Sequence, residues 1–192
     1  MMKLLITGFE PFDGKTVNPS WEAVRLLPDR IGNYELCKLK IPTVYGHAAQ
    51  LVLEKASEME PDVIISVGQA GGRDAVTPER IAVNIRDARI PDNAGVLYRG
   101  QRVVPEGPAA YFSTLPVEAM SQAIREAEIP SSVSNTAGCY VCNDVLYTLL
   151  NRYAGTPVRV GFIHVPYLPE QGTPNLPLEK TVKALAKAIL AL

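Results

Sequence analysis

The segment from Asp62 to Gly68 constrains the fold of this chain more than any other. It contains Val63 to Val67, which is a nearly continuous run of valine and isoleucine with a single serine. A half-buried strand alternates apolar and polar residues, whereas this run is apolar on both of its faces. Its β-branched residues favour a strand. We therefore expect a strand that is covered on both sides, as the strands of parallel sheets are.

Segments typical of strands and of helices alternate along the rest of the chain. Apolar runs predict further strands at 3–7, 36–41, 80–85 and 158–165. Apolar periodicity, capping residues and prolines predict helices at 19–27, 46–60, 116–128, 142–154 and 177–192. The alternation predicts a three-layer α/β/α sandwich with an open, mostly parallel mixed sheet. A proline- and glycine-rich stretch at 91–108 predicts a long irregular connection.

Length and charge limit the classes of protein to consider. A chain of 192 residues corresponds to one domain, so we expect residues 1–192 to form a single unit. The 19 basic and 20 acidic residues give a formal net charge of −1. Binding to phosphate groups requires a basic surface, which this balance does not supply. We expect neither nucleic acid nor a membrane surface as a partner.

The start of the chain and its cysteines predict a cytoplasmic protein. Only three apolar residues separate Lys3 from Thr7, whereas the apolar core of a signal peptide has about 7 to 15. No apolar run reaches the roughly 18 residues that a membrane-spanning helix needs. Three cysteines are an odd number, which argues against a disulfide framework and favours reduced thiols.

The carboxyl ends of parallel strands are the expected place for chemistry. The loops after Thr7, Gly68 and Ile163 should meet at that edge of the sheet. The first loop resembles a nucleotide phosphate loop, but five residues rather than four separate its glycines, and Pro11 lacks an N–H donor. Its Phe9 and Phe12 are instead candidates to line an apolar pocket, with packing against the sheet as the alternative.

Cys139 and Cys142 form a lone C-x-x-C pair before the helix predicted at 142–154. Without a second pair or nearby histidines, the two thiols cannot complete a tetrahedral zinc site. In the first turn of a helix, free N–H groups and the helix dipole favour a thiolate, which would make Cys142 a nucleophile. The residues alone leave two alternatives open: thiol–disulfide exchange by the pair, or a core position for Cys142 beside Leu146 and Leu149.

Histidine is scarce, so a histidine base must be His47 or His164. His164 lies at the carboxyl end of a predicted strand, whereas His47 lies near a helix start with no polar cluster around it. A base also needs a carboxylate to orient it, and Glu79 is one candidate among twenty acidic residues. The alternative for Glu79 is structural, because the segment 77–79 has the cap, first-position proline and first-turn acid of a helix.

Four spaced blocks of the sequence resemble the pyroglutamyl peptidase type I family of cysteine peptidases. They comprise residues 7–12 with 18–20, 68–71 with 76–84, 134–138 with 141–143, and 163–166, and the resemblance covers essentially all 192 residues. It implies a phosphorylase/hydrolase-like architecture and the removal of N-terminal L-pyroglutamyl residues from peptides through a thioester. It also implies that no metal or organic cofactor takes part, and that the protein is a homo-oligomer, often a tetramer.

The resemblance also assigns the residues of the site. Cys142 matches the nucleophile, His164 the base and subsequent acid, and Glu79 the residue that orients the base. The family's pocket for the pyroglutamyl ring is matched by Phe9, Phe12, Gln69 and Tyr140. Arg89 matches an arginine near the family's catalytic centre. Three residues depart from the family pattern. Cys139 stands where threonine is common, Tyr140 where phenylalanine is frequent, and Asp144 where other side chains are common. The charge of Asp144 would oppose ionisation of the thiol to an extent set by its exposure.

Overall fold

The computed structural model describes residues 1–192 as ten strands and five helices. The strands are β1 (Met2–Phe9), β2 (Arg30–Ile31), β3 (Tyr34–Ile41), β4 (Val63–Gln69), β5 (Thr77–Pro78), β6 (Ile81–Val83), β7 (Arg86–Asp87), β8 (Arg99–Gln101), β9 (Ala110–Phe112) and β10 (Arg159–Val165). The helices are α1 (Pro19–Leu26), α2 (His47–Met59), α3 (Val117–Glu126), α4 (Val141–Arg152) and α5 (Leu178–Leu190). None of the helices combines the length and the apolar character that a bilayer-crossing helix requires.

Six strands form the main sheet in the order β2-β3-β1-β4-β10-β5. The four central strands are parallel, whereas β2 and β5 are short antiparallel strands at the two edges. The pairing of β1 with β3 runs without a break from Met2 opposite Tyr34 to Phe9 opposite Ile41. The carboxyl ends of the four parallel strands therefore meet at one edge, and the expected mixed, mostly parallel sheet is confirmed.

Helices cover both faces of this sheet. Leu4 and Ile6 of β1 belong to one apolar cluster, which includes residues of α1, α3 and α5. Leu5 and Phe9 belong to the second cluster, which includes residues of α2 and α4. All residues from Val63 to Val67 are fully buried between the two clusters. The three-layer α/β/α arrangement expected from this run is confirmed.

The first helix begins where its capping signal predicts. Asn18 accepts a hydrogen bond from the Ser20 backbone N–H at 3.1 Å, and Pro19 takes the first helical position. The Asn18 amide also donates to the Glu10 carbonyl at 3.0 Å, and the Ser20 hydroxyl accepts from the Phe9 N–H. These bonds connect the start of α1 to the end of β1, so they fix the loop that carries Phe12.

The segment around Glu79 does not form the helix start that the structural alternative predicted. Residues 77–78 do not begin a helix but form strand β5, which pairs antiparallel with β10, so that alternative is wrong. The Glu79 N–H donates to the Phe162 carbonyl at 2.9 Å. The open edge of β10 offers the segment a partner that local sequence signals do not reveal. The strand expected at 80–85 is also shorter, and it is followed by the separate strand β7.

The segment from Ile81 to Phe112, which includes the connection expected to be irregular at 91–108, carries two small antiparallel pairings. Strand β7 pairs with β8, and β9 returns to pair with β6. Asn143 of α4 holds the start of this segment, because its amide bonds to both backbone groups of Val83 and to the Ile85 carbonyl. The connection is therefore fixed against α4.

We expect that Asn18→Ala destabilises the fold. The substitution removes the cap of α1 and leaves the buried Ser20 N–H and the partly buried Glu10 carbonyl without their side-chain partner. The free energy of unfolding should fall by about 1 to 3 kcal/mol, measured by urea unfolding. The matched control is Asn33→Ala at an exposed position. An equal urea midpoint for Asn18→Ala and the control would contradict this role.

Candidate active site

The register between β4 and β10 brings the central groups together. Gly68 lies opposite His164, near the carboxyl ends of both strands. A Cβ atom at Gly68 would lie 2.9 Å from the Cys142 Sγ and 2.7 Å from the Phe162 ring. Contacts this short do not occur, so only glycine leaves room for the thiol. The thiol of Cys142 therefore rests on the strand position beside His164.

Cys142 is the second residue of α4, which confirms its predicted place in the first turn of a helix. Gly138, four residues earlier, has a φ of +76°, and this left-handed turn leads the chain into the helix. The Cys142 side chain is partly buried against the apolar cluster under α2 and α4, whereas Leu146 and Leu149 are fully buried. Cys142 thus packs against the core without being fully buried as a residue.

His164 and Glu79 form a buried pair. The His164 Nδ1 lies 2.7 Å from the Glu79 Oε1, with Glu79 fully buried and His164 only 4% exposed. An ionised carboxylate only accepts hydrogen bonds, so Nδ1 carries the proton and Nε2 is left as the basic nitrogen. Glu79 therefore fixes both the tautomer and the ring orientation of His164.

Arg73 is a residue of this cluster that the sequence reasoning missed. Its Nη1 donates to the Glu79 Oε1 and to the Thr77 Oγ1, both at 2.6 Å, and its Nη2 donates to the Thr136 carbonyl at 2.9 Å. The available signal was an arginine that directly follows a glycine-rich loop at a strand end, six residues before Glu79. A buried carboxylate needs such a partner.

Burial and the neighbouring charges have opposing effects on the pKa values of Glu79 and Cys142. Burial alone would raise the pKa of Glu79, but the hydrogen bond from His164 and the charges of His164 and Arg73 hold it below its ordinary value. Burial raises the pKa of the Cys142 thiol, Glu79 raises it further, and Arg73 lowers it. Burial therefore outweighs the expected effect of the helix start on the thiol. Together these effects raise the pKa of the Cys142 thiol to about 12.

Asp144 is fully buried, and its charge is paired. Its Oδ1 accepts from the Arg86 Nε at 2.6 Å, and its Oδ2 accepts from the Gly46 N–H at 2.8 Å. The Arg86 guanidinium also lies 5.8 Å from the centre of the Tyr45 ring and 5.1 Å from that of Tyr98. Because both carboxylate oxygens have partners, Asp144 anchors the start of α4 rather than opposing the thiol as a free charge.

Aromatic rings form a wall beside the segment that leads to Cys142. The Tyr140 ring packs against Phe12 at 5.9 Å and edge-on against Tyr45 at 5.6 Å between ring centres. Tyr140 donates its hydroxyl hydrogen bond to the Pro91 carbonyl at 2.9 Å. The structure thus brings together two predicted pocket residues, Phe12 and Tyr140, and Tyr140 lies two residues before Cys142.

The other predicted pocket residues have different surroundings. Phe9 is buried and packs against Phe162, whose ring contacts His164, so it supports the imidazole from the core. The Gln69 Oε1 accepts a hydrogen bond from Gln171 at 2.9 Å. Arg89 is exposed and takes part in none of the salt bridges of the chain.

The remaining candidates stand apart from the buried pair. His47 is exposed at the start of α2, in line with its expected surface position. Cys139 is a partly buried free thiol. Its carbonyl accepts hydrogen bonds from the Tyr45 hydroxyl and the Asp87 N–H. No group of three or more histidine, cysteine, aspartate or glutamate side chains converges in a way that could hold a metal ion.

A thiol in the first turn of a helix, next to an imidazole held by a buried carboxylate, can carry out nucleophilic acyl transfer. Together with the α/β/α fold, this places the protein in the class of cysteine-type hydrolases. Comparisons with known proteins identify the group within that class.

A sequence model of the family described as pyroglutamyl peptidase matches residues 2–192. A pyrrolidone-carboxylate peptidase of Levilactobacillus brevis is 52% identical over 100% of this chain and 97% of its own, and one of Finegoldia magna is 48% identical over 99% and 92%. The crystal structure of pyroglutamyl peptidase I of Bacillus amyloliquefaciens has a TM-score of 0.96 at 43% identity, covering 100% of this chain and 96% of its own. The chain belongs to the pyroglutamyl peptidase family, and the alternative of a thiol–disulfide oxidoreductase is not supported.

We expect that Arg86→Met destabilises the protein strongly, because it leaves the buried Asp144 carboxylate without its countercharge. The loss should be about 3 to 5 kcal/mol by urea unfolding. Arg86→Met combined with Asp144→Leu should lose less than the sum of the two single variants. The comparison is Lys55→Met, which removes one partner of an exposed ion pair and should leave the midpoint unchanged. Additive effects of the Arg86 and Asp144 substitutions would contradict the coupling.

Proposed function

We propose that this protein removes N-terminal L-pyroglutamyl residues from peptides, with Cys142 as the nucleophile, His164 as the base and Glu79 as the residue that orients His164. One observation carries the proposal: in a chain of this family, the Cys142 thiol packs on Gly68, the sheet neighbour of His164, and His164 is bonded to the buried Glu79. These contacts between residues far apart in the sequence support the three residues that the family resemblance selects.

The first half of the reaction forms a thioester. The His164 Nε2 takes the thiol proton while the Cys142 Sγ attacks the pyroglutamyl carbonyl carbon, which forms the C–S bond and an oxyanion. The oxyanion then collapses, the C–N bond breaks, and His164 gives the same proton to the leaving amine. Because burial keeps the resting thiol neutral, proton transfer accompanies the attack and does not precede substrate binding.

The second half releases pyroglutamate. Water attacks the thioester carbonyl while His164 takes one of its protons. The C–S bond then breaks, and the proton returns to the Cys142 sulfur, so the enzyme ends as it began. In both halves the backbone N–H of Cys142 is a donor for the oxyanion, since N–H groups in the first turn have no acceptor within the helix. Such a donor contributes about 3 to 4 kcal/mol in the transition state.

The chemistry of the substrate suits the aromatic wall. A pyroglutamyl terminus is a lactam and has no ammonium group, so its pocket needs apolar walls and a few amide-type hydrogen bonds but no fixed countercharge. We assign Phe12 and Tyr140 to the walls of this pocket, with Phe9 behind them in the core and Gln69 as an amide group at the end of β4. Arg89 is exposed, has no salt bridge and lies two residues before Pro91, whose carbonyl binds the Tyr140 hydroxyl.

The family resemblance carries further proposals. We propose that the chain acts as one domain, that catalysis uses no metal or organic cofactor, and that the protein is a cytoplasmic homotetramer. The two apolar clusters lie on opposite faces of one sheet, which supports a single domain. The three cysteines are free thiols, as the reducing cytoplasm keeps them.

We expect wild-type protein to release a fluorogenic amine from its L-pyroglutamyl amide under reducing conditions. Cys142→Ser should lower kcat by at least about 1,000-fold, because it removes the nucleophile of both half-reactions. The matched control is Cys139→Ser, which changes the neighbouring thiol and should cleave as the wild type does. A folded, reduced wild-type protein that releases no amine would overturn the proposed function, and loss of activity in Cys139→Ser alone would overturn the choice of thiol.

A further inference from the structure

The carboxylate of Glu79 is fully buried, and only one of its oxygens has hydrogen-bond partners. The Oε1 accepts from both His164 and Arg73, whereas the Oε2 has no partner. An ionised carboxylate in such a place is strongly disfavoured without a nearby positive charge. In the proposed function, His164 is charged only while it holds the proton of the thiol or of water. For the rest of the cycle, another group must balance Glu79.

We propose that Arg73 is a positioning residue that supplies the permanent countercharge of Glu79 and fixes its carboxylate against His164. The inference rests on the proposed function, because it concerns the pair that orients the base. Arg73 makes no hydrogen bond to the thiol and acts by holding Glu79 and through its charge.

The fork of the guanidinium explains why the residue is an arginine. One nitrogen binds the Glu79 Oε1 and the Thr77 Oγ1, so it holds the end of β5 and the carboxylate together. The other nitrogen binds the Thr136 carbonyl, in the segment that leads to Cys142. A lysine carries the same charge but lacks the planar fork that reaches acceptors on two segments. Arg73 therefore supplies the countercharge of Glu79. It also fixes the position of Glu79 relative to the segment that leads to Cys142.

The charged and titratable groups around Glu79 are few. Arg73 and His164 contact it directly, Cys142 lies within reach of its charge, and the uncharged hydroxyl of Ser134 is beside it. Arg73 holds the pKa of Glu79 down and offsets the effect of Glu79 on the pKa of the Cys142 thiol. Without Arg73, the pKa of Glu79 is higher, so its carboxylate takes up a proton at higher pH. A protonated Glu79 is no longer the anion that fixes the tautomer of His164. The acid limb of the activity profile then moves to higher pH.

The test compares the pH dependence of kcat/KM for the L-pyroglutamyl amide in three variants. Arg73→Met and Arg73→Gln both remove the charge, and Arg73→Gln retains hydrogen-bond donors in case Arg73→Met does not fold. In both, the midpoint of the acid limb should rise by about 1 pH unit or more. Arg73→Lys should retain the wild-type midpoint but lower kcat, because it restores only the charge.

The matched control is Arg80→Met, which removes an equal charge from the residue next to Glu79. The Arg80 side chain binds Asn135 and Glu118 at the surface rather than Glu79. This variant should keep the wild-type profile. An acid limb that is unchanged in folded Arg73→Gln, or shifted equally in Arg80→Met, would overturn the proposal.

A second measurement separates this inference from the proposed function. The rate at which iodoacetamide alkylates Cys142, followed by mass spectrometry of the peptide that contains it, needs no substrate. Loss of Arg73 should move the pH dependence of this rate upward. An unchanged dependence would overturn the role of Arg73, whatever the wild type does with the pyroglutamyl amide. A wild type that cleaves nothing, with the alkylation shift present, would overturn only the proposed function.

Discussion

The pairing of β10 with its two neighbours determines where each part of the site lies. On one side, β10 pairs with β4 through seven residues, from Arg159 opposite Val63 to Val165 opposite Gln69. On the other side, His164 lies opposite Thr77 of β5. A slip of one residue would turn every side chain of β10 to the other face of the sheet. The imidazole would then point away from Gly68, where the thiol packs, and Glu79 would lose its histidine partner.

Two buried carboxylates on the same face of the sheet are stabilised to different degrees. Each has an arginine, but Asp144 has partners on both oxygens, whereas the Glu79 Oε2 has none. Buried polar groups are nearly always satisfied in stable structures, and the exceptions in this chain are the Glu79 Oε2, the Thr7 Oγ1 and the Ser66 Oγ. Glu79 is the only one of the three that carries a charge. The difference from Asp144 agrees with a structural role for Asp144.

The local sequence predicts the parts of the fold that depend on local signals. The buried strand at β4, the cap of α1 and the helical start at Cys142 were all confirmed, because periodicity and capping act over a few residues. The segment at Thr77 shows the limit of this reasoning. Its cap, proline and acid match a helix start as well as a strand. Only the free edge of β10 selects the strand, and β10 is distant in sequence, since His164 follows Glu79 by 85 positions. Glu79 was therefore singled out by the family resemblance and not by spacing.

The same limit applies to the arginines. Arg73 and Arg86 were missed because an arginine in a loop has no local signature of the carboxylate it meets. Their partners depend on which loops the sheet places side by side. Arg89, selected by resemblance, is the exposed arginine of the three. Exposure and partner are properties of the tertiary fold, so they could be assigned only from the structure.

Hydrogen bonds to main-chain groups fix the aromatic wall from several sides. The Asn93 amide donates to the Glu10 carboxylate and to the Pro11 carbonyl, beside Phe12, and the Asn93 N–H donates to the Thr43 carbonyl. Tyr140 is held by the Pro91 carbonyl of the same loop. Ordering a loop on binding costs conformational entropy, which reduces affinity. These bonds hold both rings in the free protein, so under the proposed assignment of Phe12 and Tyr140 to the pocket, substrate binding would not incur that loss.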